Sequence, residues 1–130
     1  MAVNYQLNTT ASGGTVSDKW RRTRGHNNEN VAGSIEIAKF TEFAVDGVIP
    51  SGVAVTADDK TKTYIPYVDG ASLDGFISDM TGVPVVAGQT TAVISVAIRE
   101  TIVPKYLPVA AQRTISAATP TTGDFVFIKE

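Results

Sequence analysis

The side chains of this sequence best suited to act on a substrate are its carboxylates. Asp58 and Asp59 are adjacent, and Asp69, Asp74 and Asp79 follow at intervals of five residues, which is raw material for a general acid and base pair. Such a pair must converge in space, and chain spacing does not supply convergence. Acidic loops are ordinarily just solvated. No Gly-Xaa-Ser-Xaa-Gly elbow, phosphate loop or dinucleotide fingerprint accompanies the aspartates, so nothing in the sequence speaks for an enzyme. The single imidazole, His26, lies in Gly25-His26-Asn27-Asn28-Glu29-Asn30, where amides and one carboxylate make a poor divalent-metal site. The chain has no cysteine, which excludes disulfides and thiolate metal sites. The expectation is therefore no catalytic residue, no metal and no cofactor.

A second kind of chemistry is electrostatic. Lys19-Trp20-Arg21-Arg22-Thr23-Arg24 sets four basic groups around an indole, a composition that can meet phosphate and stack on a base. The chain carries a net charge of -2, divided unevenly: residues 1–30 hold four bases against two acids, and the rest holds seven bases against eleven acids. A basic arm precedes an acidic body. A tryptophan gains little in a solvated tail and is enriched where interfaces form. Lys19, Trp20, Arg21, Arg22 and Arg24 are accordingly read as a protein-binding arm or a solvated tail, Trp20 tilting the choice toward the arm, with nucleic acid the less favoured partner.

At 130 residues the chain fits one domain that can fold without staples. Residues 1–30 are rich in Asn, Thr, Ser and Gly and too poor in apolar groups to offset the entropy of ordering, so they read as an extended or flexible arm before a single β domain, 31–130. From Ser34 the residues Ile35, Glu36 and Ile37 alternate with the period of a half-buried strand. Asp46-Gly47 and Pro50-Ser51-Gly52 mark turns, and Val53 and Val55 restart a strand beyond them. Residues 57–62 form a polar loop. Thr63 to Val68 is a short strand whose Pro66 suits a sheet edge, and Leu73 to Ile77 is another. Thr90 to Ile102 gives the strongest strand pattern, with Ala92, Ile94, Val96 and Ile98 on one face. Phe125 to Ile128 ends the series, and Val109 to Ile115 suits a short helix. The fold class is mainly β, a small barrel or sandwich with an extended N-terminal arm. No apolar stretch approaches the ~20 residues of a membrane span, and the first residues lack the pattern of a secretory signal. A soluble protein made in the cytoplasm is expected.

In this order the features resemble the lambda-type phage head decoration family, particularly the versions carried by phages of actinobacteria. The likeness spans about Ser34 to Pro108. It consists of a strand ending near Phe40-Thr41, the Ile49-Pro50-Ser51-Gly52-Val53 turn, the Asp74-Gly75-Phe76 re-entry and a strand through Val96-Ala97-Ile98-Arg99-Glu100 toward Leu107-Pro108. The long Arg-rich arm and residues 109–122 depart from the pattern. The resemblance implies a β-rich protomer that forms a homotrimer on the outside of a capsid in the virion. It also implies that the N-terminal segment lies along the major capsid protein. The alternative is a small β-barrel that binds single-stranded nucleic acid.

Overall fold

The computed structural model describes residues 17–22 and 28–129. Its strands are β1 (Glu29–Glu36), β2 (Val48–Ile49), β3 (Ala54–Asp58), β4 (Thr63–Pro66), β5 (Gly75–Ile77), β6 (Val83–Pro84), β7 (Thr91–Ile102) and β8 (Asp124–Phe127). The order β1-β4-β3-β5-β7 closes into a five-stranded barrel, because β7 returns to pair with β1. β8 adds to β7 outside that ring, and β2 and β6 make a separate two-stranded ribbon. The barrel alternative of the sequence reading is the one found. Among the described residues no helix is long and apolar enough to cross a membrane.

Closure depends on two unequal seams. β1 and β7 form a long antiparallel ladder, whereas β1 meets β4 through one parallel pair, Ile35 opposite Tyr64. Pro66 pairs with Val55 at the end of β4, beyond that single contact with β1, so its missing N–H leaves no gap in the β1 seam.

β7 contains a bulge that sequence periodicity does not foresee. Asn30 faces Ala97 while Glu29 faces Arg99, which leaves Ile98 as the extra residue. Ala92, Ile94 and Val96 point inward as their alternation predicts, but Val96 and Ala97 are both fully buried and Ile98 only half so. Consecutive buried residues require cover on both faces of the strand.

Two hydrophobic cores provide it. One fills the barrel with Ile35, Phe40, Ile49, Val53, Val55, Ile77, Ile94 and Val96. The other lies outside the wall formed by β3, β5 and β7, and gathers Trp20, Ala54, Leu73, Phe76, Ala97, Ile102, Leu107 and Ile115. Each wall strand supplies neighbouring residues to opposite cores, as Ala54 and Val55 or Phe76 and Ile77 do. This is why those strands read as continuous apolar runs.

Several boundaries shift from the sequence reading. β1 begins at Glu29, inside the stretch assigned to the arm, because the β7 ladder pairs even that residue. Residues 17–22, also assigned to the arm, pack against the body, with Trp20 in the second core. Ile37 starts a 3-10 turn rather than continuing β1. The helix expected over Val109 to Ile115 is a single 3-10 turn, Ala110–Gln112. Arg24 and His26 lie outside the described residues.

Candidate functional site

Ser51, Gly52 and Phe76, three of the residues that carry the family resemblance, meet Trp20 of the assigned arm on the outer side of the β3-β5-β7 wall. Residues 17–22 form a strap there. The Arg22 amide donates to the Thr101 carbonyl (2.9 Å), and the Val103 amide donates to the Trp20 carbonyl (2.7 Å). Arg21 bridges Ile102 in antiparallel sense, while Ile102 pairs with Phe127 of β8 on its other edge. The end of β7 is thus sandwiched between the strap and β8.

The strap is anchored by Trp20, whose side chain has no exposed surface. An indole can be buried this fully only where its N–H finds an acceptor. Here the Nε1–H donates to Ser51 Oγ at 3.1 Å, and the Ser51 hydroxyl lies 3.4 Å from the Ile77 carbonyl. The indole stacks on Phe76 with centroids 5.5 Å apart and planes 27° apart, and Phe76 in turn meets Phe125 edge-on at 5.2 Å. Gly52 makes room for it: its φ is +99°, and a Cβ there would lie 2.8 Å from the indole Cγ. Gly75 lets β5 approach β7, since a Cβ would collide with the Val96 side chain and lie 2.9 Å from the Ala97 carbonyl oxygen. Ile49 is buried in the barrel core and Pro50 is buried beside it, so the whole Ile49-Pro50-Ser51-Gly52 turn is inside the protein.

Arg21 supplies the polar half of the strap. Its Nε–H donates to both Asp18 carboxylate oxygens (2.9 and 3.0 Å), its Nη1 to Ser78 Oγ (2.6 Å) and its Nη2 to the Ser78 carbonyl (3.2 Å). The guanidinium carbon sits 4.9 Å from the Trp20 ring centroid, a cation-π distance. Beneath it Glu100 is buried, with Oε1 accepting the Thr101 amide (3.1 Å). Oε2 lies 3.6 Å from Arg21 Nη1, close enough for an ion pair and too far for a hydrogen bond, so that oxygen has no hydrogen-bond partner. Burial pushes the Glu100 carboxyl above its ordinary value; the Thr101 amide and Arg21 partly oppose this, and the Asp18 charge adds to it.

Of the residues read as a protein-binding arm, Trp20 and Arg21 therefore face their own body. The physical reason is the anchor itself: Trp20 is the largest apolar group available, and Gly52 leaves it a cradle. Lys19 is exposed, and Arg22 donates to the Lys19 carbonyl (2.8 Å) and lies 5.9 Å from the Tyr106 ring. Phe76 and Tyr67 belong to the second core.

The aspartates shape turns. Asp74 accepts the Ala57 amide (2.6 Å) and the Ser72 and Thr122 hydroxyls (2.9 and 2.7 Å), and Asp79 accepts the Ser95 amide (2.9 Å). Asp58 accepts the Lys60 amide, which lowers its pKa. Among the described residues no group of three or more His, Cys, Asp or Glu is placed to hold a metal ion.

One structural residue escaped sequence reasoning. Gln112 is buried, its Oε1 accepting the Ala54 amide (2.8 Å) and its Nε2 donating to the Ala54 and Tyr67 carbonyls (both 3.1 Å). It clamps the 3-10 turn Ala110–Gln112 onto β3. A lone amide in an alanine- and threonine-rich stretch gives no periodic signal that would have marked it. Compared with protein families, curated proteins and solved structures, the chain has no match.

Two outcomes are expected. Trp20→Ala should cost about 3–5 kcal/mol by emptying the cradle, read as a lower urea midpoint; an unchanged midpoint would mean that the strap is not part of the folded unit. Folded Glu100 holds its proton more tightly than unfolded Glu100, so its contribution is lost as pH rises from the ordinary value of 4.5 through the raised folded value. Glu100→Gln should therefore flatten the decline in thermal midpoint across that window and be the more stable protein at neutral pH. Parallel pH curves for the two proteins would contradict this.

Proposed function

We propose that this chain is a structural virion protein, a head decoration subunit that is made in the host cytoplasm and binds as a homotrimer to the outside of a phage capsid. The observation that carries the reading is the convergence of the family-like residues. Ser51, Gly52 and Phe76 are far apart in sequence from Trp20, yet together they build its cradle, and Gly75 lets the strand that carries Phe76 approach β7. The resemblance thus rests on residues that cooperate physically rather than on isolated turns.

The strap also suits the role. It attaches to the body through Trp20 and Arg21, and the segment before it would contact the major capsid protein from that point. A segment tethered at a fixed point loses less freedom on binding than one hung from a mobile joint. Exposed Lys19 stands at the same place and can add to the contact. The single-stranded nucleic-acid alternative draws less support, because Arg21 spends its donors on Asp18 and Ser78.

The test is co-sedimentation of the purified protein with undecorated heads of the phage that encodes it. The full chain should saturate the heads, and a chain beginning at Ser17 should bind at least about tenfold more weakly while keeping its cooperative melt. Failure of the full chain to bind such heads would refute the proposal.

A further inference from the structure

Two grooves of opposite charge flank the connection 109–117. The first has a volume of about 500 Å³ and an apolar floor that includes Phe127 and Ile128. Lys105, Arg113 and Lys129 line it, and no acidic residue does so among the described residues. These are three of only seven bases in an otherwise acidic body, so their grouping is a local reversal of its charge. The second groove, about 690 Å³, is lined by Glu42, Asp58 and Asp69 against the single base Lys39. Lys39 itself lies 3.6 Å from the Glu36 carboxylate. Beside Asp69 stands Val68, an apolar side chain 64% exposed.

The two surfaces are held in fixed relation. Val109, Ala111 and Gln112 line the acidic groove, and residues 113–117 line the basic one. The buried Gln112 clamp ties the turn between them to β3, and the Arg113 Nε–H donates to the Leu107 carbonyl at 2.8 Å. The result is a rigid wedge with a basic, apolar side and an acidic side that bears an exposed valine.

We infer that the basic groove of Lys105, Arg113 and Lys129 receives the Val68-Asp69 turn of a second copy of this chain. Charge complementarity selects that occupant: the groove asks for a carboxylate beside an apolar group, and Val68-Asp69 offers that pair on the neighbouring face of the same wedge. A contact between two different surfaces of identical subunits is head-to-tail, and it closes into a ring when the rotation from one subunit to the next completes the circle. This deepens the trimer reading above and rests on it. Residues 109–117, which the family resemblance leaves unmatched, would then form the centre of the assembly.

Charge reversal tests the inference by light scattering on the full chain, with far-UV circular dichroism to show that each variant is folded. The unaltered protein should have a mass near three times 13.7 kDa. Lys105→Glu with Lys129→Glu should weaken self-association at least about tenfold, and so should Glu42→Lys with Asp69→Lys, because like charges then face each other. All four changes in one chain give the two grooves opposite net charge again, with Arg113 and Asp58 unaltered, and should restore the trimer. A trimer indifferent to either reversal, or not rescued by the fourfold variant, would overturn this interface and leave the decoration reading standing. An unaltered protein that stays at the mass of one chain would overturn this interface, and co-sedimentation with heads would then decide the decoration reading separately.

Discussion

An indole is costly to bury unless its N–H is satisfied and its faces are packed, and in this protein both requirements are met by residues from separate parts of the chain. Ser51 accepts the Trp20 N–H, Phe76 stacks on its face and Gly52 leaves space where a side chain would collide. The outer core exists because Trp20 fills it. Ala54, Phe76 and Ala97 are apolar on the outward side of the barrel wall only because the strap, β8 and the 104–115 connection cover them. Without that cover the wall would present to water a face made of alanine, phenylalanine and isoleucine.

The charged half of the strap works against part of this gain. Burying Glu100 with one oxygen lacking a hydrogen bond carries a desolvation penalty, which the Arg21 ion pair at 3.6 Å only partly offsets. What the arrangement provides is position. Arg21 is held by Asp18 and Ser78, and lies over the Trp20 ring, so the strap has one register on β7. A sliding strap would separate Arg21 from Glu100 and leave a buried charge alone.

The barrel was legible in the sequence where a strand buries one face, as in Ala92, Ile94 and Val96. It was also legible where Pro and Gly mark a turn, as in Pro50-Ser51-Gly52. Legibility failed where tertiary contacts decide. Ile102 joins the outer core, on the face opposite Ile94 and Val96, because a bulge at Ile98 shifts the phase of β7, and a bulge leaves no mark in an apolar run. The strap read as part of an extended arm because residues 17–22 contain one large apolar group, and only the shape of the distant Gly52 turn reveals where it goes. Gln112 was invisible for the same reason, since its partners on Ala54 and Tyr67 are backbone groups that every sequence possesses. The two-residue ribbon of β2 and β6 is too short to produce any period.

The strap folds with the barrel as one cooperative unit, and amide hydrogen exchange tests this. The Arg22 amide bonded to Thr101 and the Val103 amide bonded to Trp20 are the reporters. The account predicts that both exchange only through the same global opening that exposes the amides of β7 in the barrel. Exchange of these two amides near the rate of a free chain, with β7 still protected, would show that the strap opens by itself and would contradict the account.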